Sequence, residues 1–174
     1  MAYYAWVARP ETPALTDTVD LIRREWAQTC PDLDTAPIEV LGRVQRIASL
    51  CNHRLDLNLE QHGITRSEFN VLSALARVGR PLRASEVVST TMLSGASITK
   101  IADSLVQRDL VVRQKSERDG RVVLLALTDH GRSVVEDQMP RRLADDEEVI
   151  AVLSPAERET LAGLLRKVCA ALGE

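Results

Sequence analysis

The stretch from Leu82 to Thr128, LRASEVVSTTMLSGASITKIADSLVQRDLVVRQKSERDGRVVLLALT, constrains the fold of this chain more than any other. Its first half predicts a helix from Ser85 to about Thr91, with Val87 and Val88 facing inward, a turn, and a second helix capped by Ser94. On that second helix Ile98, Ile101, Ala102 and Leu105 recur at helical spacing and are expected to pack inward. Its other side shows Ala96, Thr99, Lys100, Asp103 and Ser104, small or polar groups that leave room for another surface to approach. The second half predicts strands Val111–Lys115 and Val122–Leu127, joined by the charged tip Glu117-Arg118-Asp119-Gly120-Arg121. A helix-turn-helix followed by a charged hairpin is a winged helix, an arrangement suited to docking on duplex DNA.

The flanks are helical. Thr16 is the expected N-cap of a helix reaching Thr29, with Val19, Ile22 and Trp26 as its apolar set. Cys30-Pro31-Asp32-Leu33-Asp34 ends it, and Pro37 opens a long amphipathic helix to about His62. There Val40, Leu41, Val44, Ile47, Ala48, Cys51, Leu55 and Leu59 keep helical spacing. Thr65-Arg66-Ser67-Glu68 is a capping box for a helix carrying Phe69, Val71, Leu72 and Leu75, which Gly79-Arg80-Pro81 ends. After the hairpin, Thr128-Asp129-His130-Gly131 caps another long helix, in which Pro140 predicts a kink or a break. Ser154-Pro155-Ala156-Glu157 starts the last helix, with Leu161, Leu164, Leu165, Val168 and Leu172 as an apolar stripe.

The predicted fold is therefore mostly α, with a small two- to three-stranded β-wing. We expect an N-terminal arm over 1–15, N-terminal helices of a dimerisation layer over 16–62, a winged helix-turn-helix lobe over 63–130 and C-terminal dimerisation helices over 131–174. The front and back helices carry more apolar surface than a small winged helix can cover, so pairing with a second copy is expected. Two lobes related by a two-fold axis would read a pseudo-palindrome with half-sites about one helical turn apart.

Composition narrows the alternatives. Only 3% of the 174 residues are aromatic against 45% hydrophobic, which suits helices better than a sandwich or barrel. No apolar run reaches the roughly 18 residues needed to cross a bilayer, and MAYYAWVARPETP lacks the basic start and apolar core of a secretory signal, so a cytoplasmic protein is expected. The net charge is −3, yet five basic residues (Arg108, Arg113, Lys115, Arg118, Arg121) stand against three acidic ones between Arg108 and Arg121. Cys30, Cys51 and Cys169 are far apart and lack CxxC spacing, which fits three reduced, largely buried thiols; a redox-sensing cysteine, best Cys30, is the alternative. His53, His62 and His130 show no ligand spacing, so no metal and no cofactor is expected. No phosphate loop, nucleophile elbow or HExxH motif suggests an enzyme.

From Pro37 to Leu172 the chain resembles the MarR family of bacterial transcriptional regulators. The resemblance is carried in order by HGITRSEFNVLSAL, LSGASITKIADSLVQRDLVVR, ERDGRVVLLALTDHGR and LSPAERETLAGLL. It implies a homodimer of winged-helix lobes that a small anionic or phenolic ligand releases from DNA. The front end, DLIRREWAQTCPDLDTAPIEVLGRVQRIASL, is similar to a subgroup with an additional N-terminal helix that includes urate-responsive regulators. In that subgroup a Trp of the extra helix covers a ligand pocket, and Trp26 stands at its place. Asn70 occupies the slot of the subgroup's Asp, and Ile101 and Ser104 those of arginines. Fewer ionisable groups point to a small aromatic effector less charged than urate.

The DNA-binding candidates are Arg83 as a phosphate contact, Ser97, Thr99 and Lys100 on the second helix, and Arg118 and Arg121 on the wing. Arg121 is placed in a minor groove or left as a solvated hairpin residue, paired with Asp119. Trp26 and Asn70 are the effector candidates, with Trp26 alternatively a core or dimer-interface aromatic. The competing functions are a ligand-released repressor, a cysteine-based redox regulator, and a winged-helix protein–protein adaptor.

Overall fold

The computed structural model describes residues 16–91, 94–116 and 119–173. Its elements are α1 (Thr18–Thr29), α2 (Ala36–Glu60), α3 (Arg66–Val78), α4 (Ala84–Thr91), α5 (Gly95–Gln107), β1 (Val111–Lys115), β2 (Val123–Leu127), α6 (Asp129–Ile150) and α7 (Pro155–Ala171). Two compact units divide at residue 50, within α2.

In the first unit α1 begins one residue later than predicted. Asp17, not Thr16, is the N-cap: its carboxylate accepts from the amides of Val19 (2.8 Å) and Asp20 (3.0 Å). A carboxylate outcompetes a hydroxyl there because it also pairs with Arg43, whose Nε lies 2.8 Å from Asp17 and whose Nη2 lies 2.8 Å from Asp20. Val19 is buried where α1 crosses α2, and Gly42 makes the approach possible: a Cβ there would lie 3.1 Å from a Val19 methyl. Ile22 and Trp26 stay exposed, as do Val40, Leu41, Val44 and Ile47 of α2.

The second unit contains the winged helix. Ile98, Ala102 and Leu105 of α5 are buried with Val71, Leu72 and Leu75 of α3, Val87 of α4 and Leu125 of β2 in one core, with Val88 and Ile101 packed against it. A smaller cluster joins Leu55 and Leu59 of α2 to Ile64 and Phe69. The Thr65–Glu68 capping box opens α3 as predicted, and Gly79 closes it in the left-handed conformation (φ 69°). Strands β1 and β2 pair antiparallel, Val111 with Leu127 through Lys115 with Val123. The third strand is reduced to one bridge, with mutual backbone bonds of 2.9 and 2.8 Å between Leu82 and Leu125.

Thr128 caps α6, accepting from the Gly131 amide at 3.0 Å while donating to the Asp109 carbonyl at 2.7 Å. Of the kink or break expected at Pro140, the break does not occur: α6 continues through it to Ile150. Proline removes one amide and crowds one carbonyl, and the helix keeps its remaining bonds on both sides. The Ser154–Glu157 capping box starts α7 with Pro155 in the first turn. No residue of α7 is buried: Leu164 is 54% exposed, and Leu172, the C-cap that follows the helix, 80%. No helix among the described residues is long and apolar enough to cross a membrane.

Candidate nucleic-acid interface

α5 starts at a serine cap and turns Ile98, Ala102 and Leu105 inward, which leaves its other side on display. Ser94 accepts from the Ser97 amide at 3.3 Å, and the two hydroxyls lie 2.8 Å apart. Ser97 is thereby engaged in the cap, though it remains exposed. Thr99 and Lys100 are exposed on the same helix, with the Thr99 hydroxyl donating to the Gly95 carbonyl (3.2 Å). Lys100 has no carboxylate partner among the described residues, so its ammonium is available to an outside anion.

Arg83 is exposed just before α4. Its backbone amide donates to Glu86 at 2.8 Å, and Glu86 pairs in turn with Arg80 at 2.7 Å. The wing tip closes through Ser116 donating to the Val122 carbonyl and Val122 to the Asp119 carbonyl, both at 2.9 Å. Asp119 does meet Arg121, but through the backbone amide at 3.0 Å, which leaves the exposed guanidinium clear of that carboxylate. Arg118 lies outside the described residues. Arg113 is tied to Asp103 of α5 at 2.6 Å, so this cation and one polar residue of α5 neutralise each other.

Ser104 contradicts the polar-face reading of α5. It is half-buried and donates to Glu68 of α3 at 2.7 Å. Glu68, only 6% exposed, also accepts from the Thr65 amide (2.9 Å), the Thr65 hydroxyl (3.1 Å) and Arg108 (3.2 Å). Burial pushes this carboxyl up, but the Thr65 amide, Ser104, the Thr65 hydroxyl and the Arg108 charge outweigh it and hold the group below its ordinary range. A carboxylate depressed in this way supports the fold above its unfolded pKa and loses that contribution as acid protonates it. The capping box signalled Glu68 only as a cap; its grip on α5 needed the tertiary structure.

A second feature lies on the far side of α3. Asn70, Ser73 and Arg77, spaced at helical intervals, line a groove of about 650 Å³ together with Thr90, Val135, Met139 and Arg142. The Ser73 hydroxyl is buried there without a hydrogen-bond partner among the described residues. Arg142 is 3.8 Å from Asp146, a loose pair. Trp26 sits on α1 in the first unit, 43% exposed. All three cysteines are free, and Cys30 and Cys169 are exposed rather than buried: Cys30 follows the end of α1, where Trp26 is also exposed, and Cys169 lies on α7, which has no buried residue.

Comparison with known proteins decides the family. Residues 62–122 match the sequence model of the MarR family. The HTH-type transcriptional regulator MhqR of Bacillus subtilis (strain 168) is 32% identical over 130 residues, 74% of this chain and 86% of that protein. The chain belongs to the MarR family. The HTH-type transcriptional regulator PecS of Dickeya dadantii (strain 3937) is 28% identical over 149 residues, covering 84% of this chain and 90% of PecS. Among solved structures, BpsR of Bordetella bronchiseptica, whose DNA binding is regulated by 6-hydroxynicotinic acid, matches with a TM-score of 0.66 at 28% identity, over 75% of this chain and 92% of that one. The protein is thus a DNA-binding transcription regulator of the MarR family and not an enzyme.

Proposed function

We propose that the protein is a homodimeric repressor that occupies a pseudo-palindromic operator and leaves it when a small aromatic effector binds. The observation that carries the DNA half is α5 itself: a capped helix, buried along Ile98, Ala102 and Leu105, that holds Thr99 and Lys100 exposed beside a two-stranded wing. In this reading Ser97, Thr99 and Lys100 approach the base edges or adjacent phosphates, Arg83 takes a phosphate, and Arg118 and Arg121 reach the neighbouring groove. Residues 63–130 form the DNA-binding lobe, 16–62 and 131–174 supply the dimer layer, and 1–15 is an N-terminal arm. Support for the dimer comes from α7, which buries nothing within its own chain although Leu161, Leu164, Leu165 and Val168 share one stripe. Each such side chain contributes roughly 1.5–3 kcal/mol when fully covered.

Asn70 is the effector residue with the clearest support, because it lines a groove with an apolar floor, an unpartnered Ser73 hydroxyl and two arginines near its edge. Trp26 is the second, an exposed indole on α1 able to stack on an aromatic ring. The relative BpsR responds to an aromatic acid, which fits the same ligand class. The test is a screen of aromatic acids and phenols for release of the protein from a bound duplex, read by fluorescence anisotropy. At least one compound is expected to release the wild type, and to need about tenfold more ligand with Asn70→Ala or Trp26→Ala. Equal potency on both variants would remove these two residues from the effector site.

A further inference from the structure

We propose that Glu68 is a positioning residue for DNA recognition: from the first turn of α3 its carboxylate grips Ser104 and Arg108 and so sets the rotation of α5. The inference rests on α5 being the helix that meets DNA. Ser104 follows Lys100 by four residues and precedes Arg108, the C-cap of α5, by four, so the three form one stripe along the helix and its end. The stripe is exposed at Lys100 and pinned further on, where Ser104 donates at 2.7 Å and Arg108 at 3.2 Å to the same carboxylate.

Apolar burial alone would not fix that angle. Contacts of Ile98, Ala102 and Leu105 are non-directional and tolerate small rolls of the helix. Hydrogen bonds to a buried carboxylate do not. Glu68 accepts from Thr65 within its own capping box, which anchors the carboxylate to the start of α3, and offers its remaining capacity to α5. Rolling α5 would break the Ser104 bond and weaken the Arg108 pair, leaving a buried charge under-compensated. The same roll would swing Lys100, one turn away on the same stripe, across the face that meets the duplex. Glu68 therefore acts on recognition without touching nucleic acid, and its removal is expected to harm discrimination more than general attraction to phosphate.

The experiment compares the full chain with Glu68→Gln, Ser104→Ala, the double variant and Lys100→Ala. Each is titrated, at one salt concentration, against a duplex selected by binding and a scrambled duplex of equal length. Glu68→Gln is expected to weaken the selected complex about tenfold and the scrambled one by less than about twofold. Ser104→Ala is expected to weaken the selected complex about threefold, and the double variant by less than the product of the two single losses, because the two residues share one bond. Lys100→Ala is expected to weaken both complexes, since its charge acts directly. Equal losses on both duplexes for Glu68→Gln, or additive losses in the double variant, would overturn the proposal. If circular dichroism finds Glu68→Gln unfolded, Ser104→Ala decides alone, and unchanged affinity for the selected duplex overturns it. Should Lys100→Ala change nothing on either duplex, the assignment of α5 fails, and the role of Glu68 with it.

Discussion

Gly131→Ala is expected to destabilise the winged-helix unit by about 2–4 kcal/mol, although the same exchange within most helices is favourable by roughly 0.5–1 kcal/mol. The sign reverses because of one close approach. A Cβ at Gly131 would run into the Leu110 carbonyl and press on a Leu127 methyl 3.1 Å away. The carbonyl cannot yield easily, since it accepts from the Thr128 amide at 3.2 Å and so joins the start of β1 to the cap of α6. Either α6 moves out, exposing Val135, or the Thr128 cap is lost. Urea denaturation followed by circular dichroism measures the change. A variant as stable as the wild type would mean that the junction of wing and α6 is looser than the Leu110 contact implies.

The second large effect concerns the uncovered helices. Leu164→Glu with Val168→Glu is expected to convert a dimer into monomers and to lower affinity for a two-half-site duplex by about a hundredfold or more. Both residues are exposed on α7, so the isolated chain loses little packing, whereas a dimer would have to bury two added charges per copy. Sedimentation velocity gives the oligomeric state, and anisotropy titration the affinity. If the variant still sediments as a dimer, α7 is not in the interface. If it is monomeric yet binds as tightly as the wild type, two-fold pairing is not the source of affinity.

Much of this architecture is legible in the residues because local chemistry dictates it. Ser94, Thr128 and Ser154 announce helix starts, each bonding an amide three residues on. The apolar spacing of Ile98, Ala102 and Leu105 fixes the buried face of α5. Where two local rules compete, the sequence is less decisive. Thr16 and Asp17 are both acceptable caps, and the long-range pair with Arg43 selects Asp17. Pro140 forbids one hydrogen bond but not the whole helix, and the neighbouring turns carry α6 across it. The partners of polar residues are the least legible of all. Ser104 and Asp103 look outward by composition, but Glu68 and Arg113, 36 residues before and 10 residues after them, engage them. The groove beside Asn70 is equally hidden, since α3, α4 and α6 each supply part of its wall.

The most direct measurement is selection of bound duplexes from a random pool by the full-length protein, followed by titration of the enriched sequence across salt concentrations. The expected result is an inverted repeat with half-sites about 10 base pairs apart, bound by two copies of the chain, with affinity falling steeply as salt rises. Enrichment of no inverted repeat, together with binding that is weak and equal on all sequences, would contradict the assignment of α5 and the wing as the paired readers of an operator.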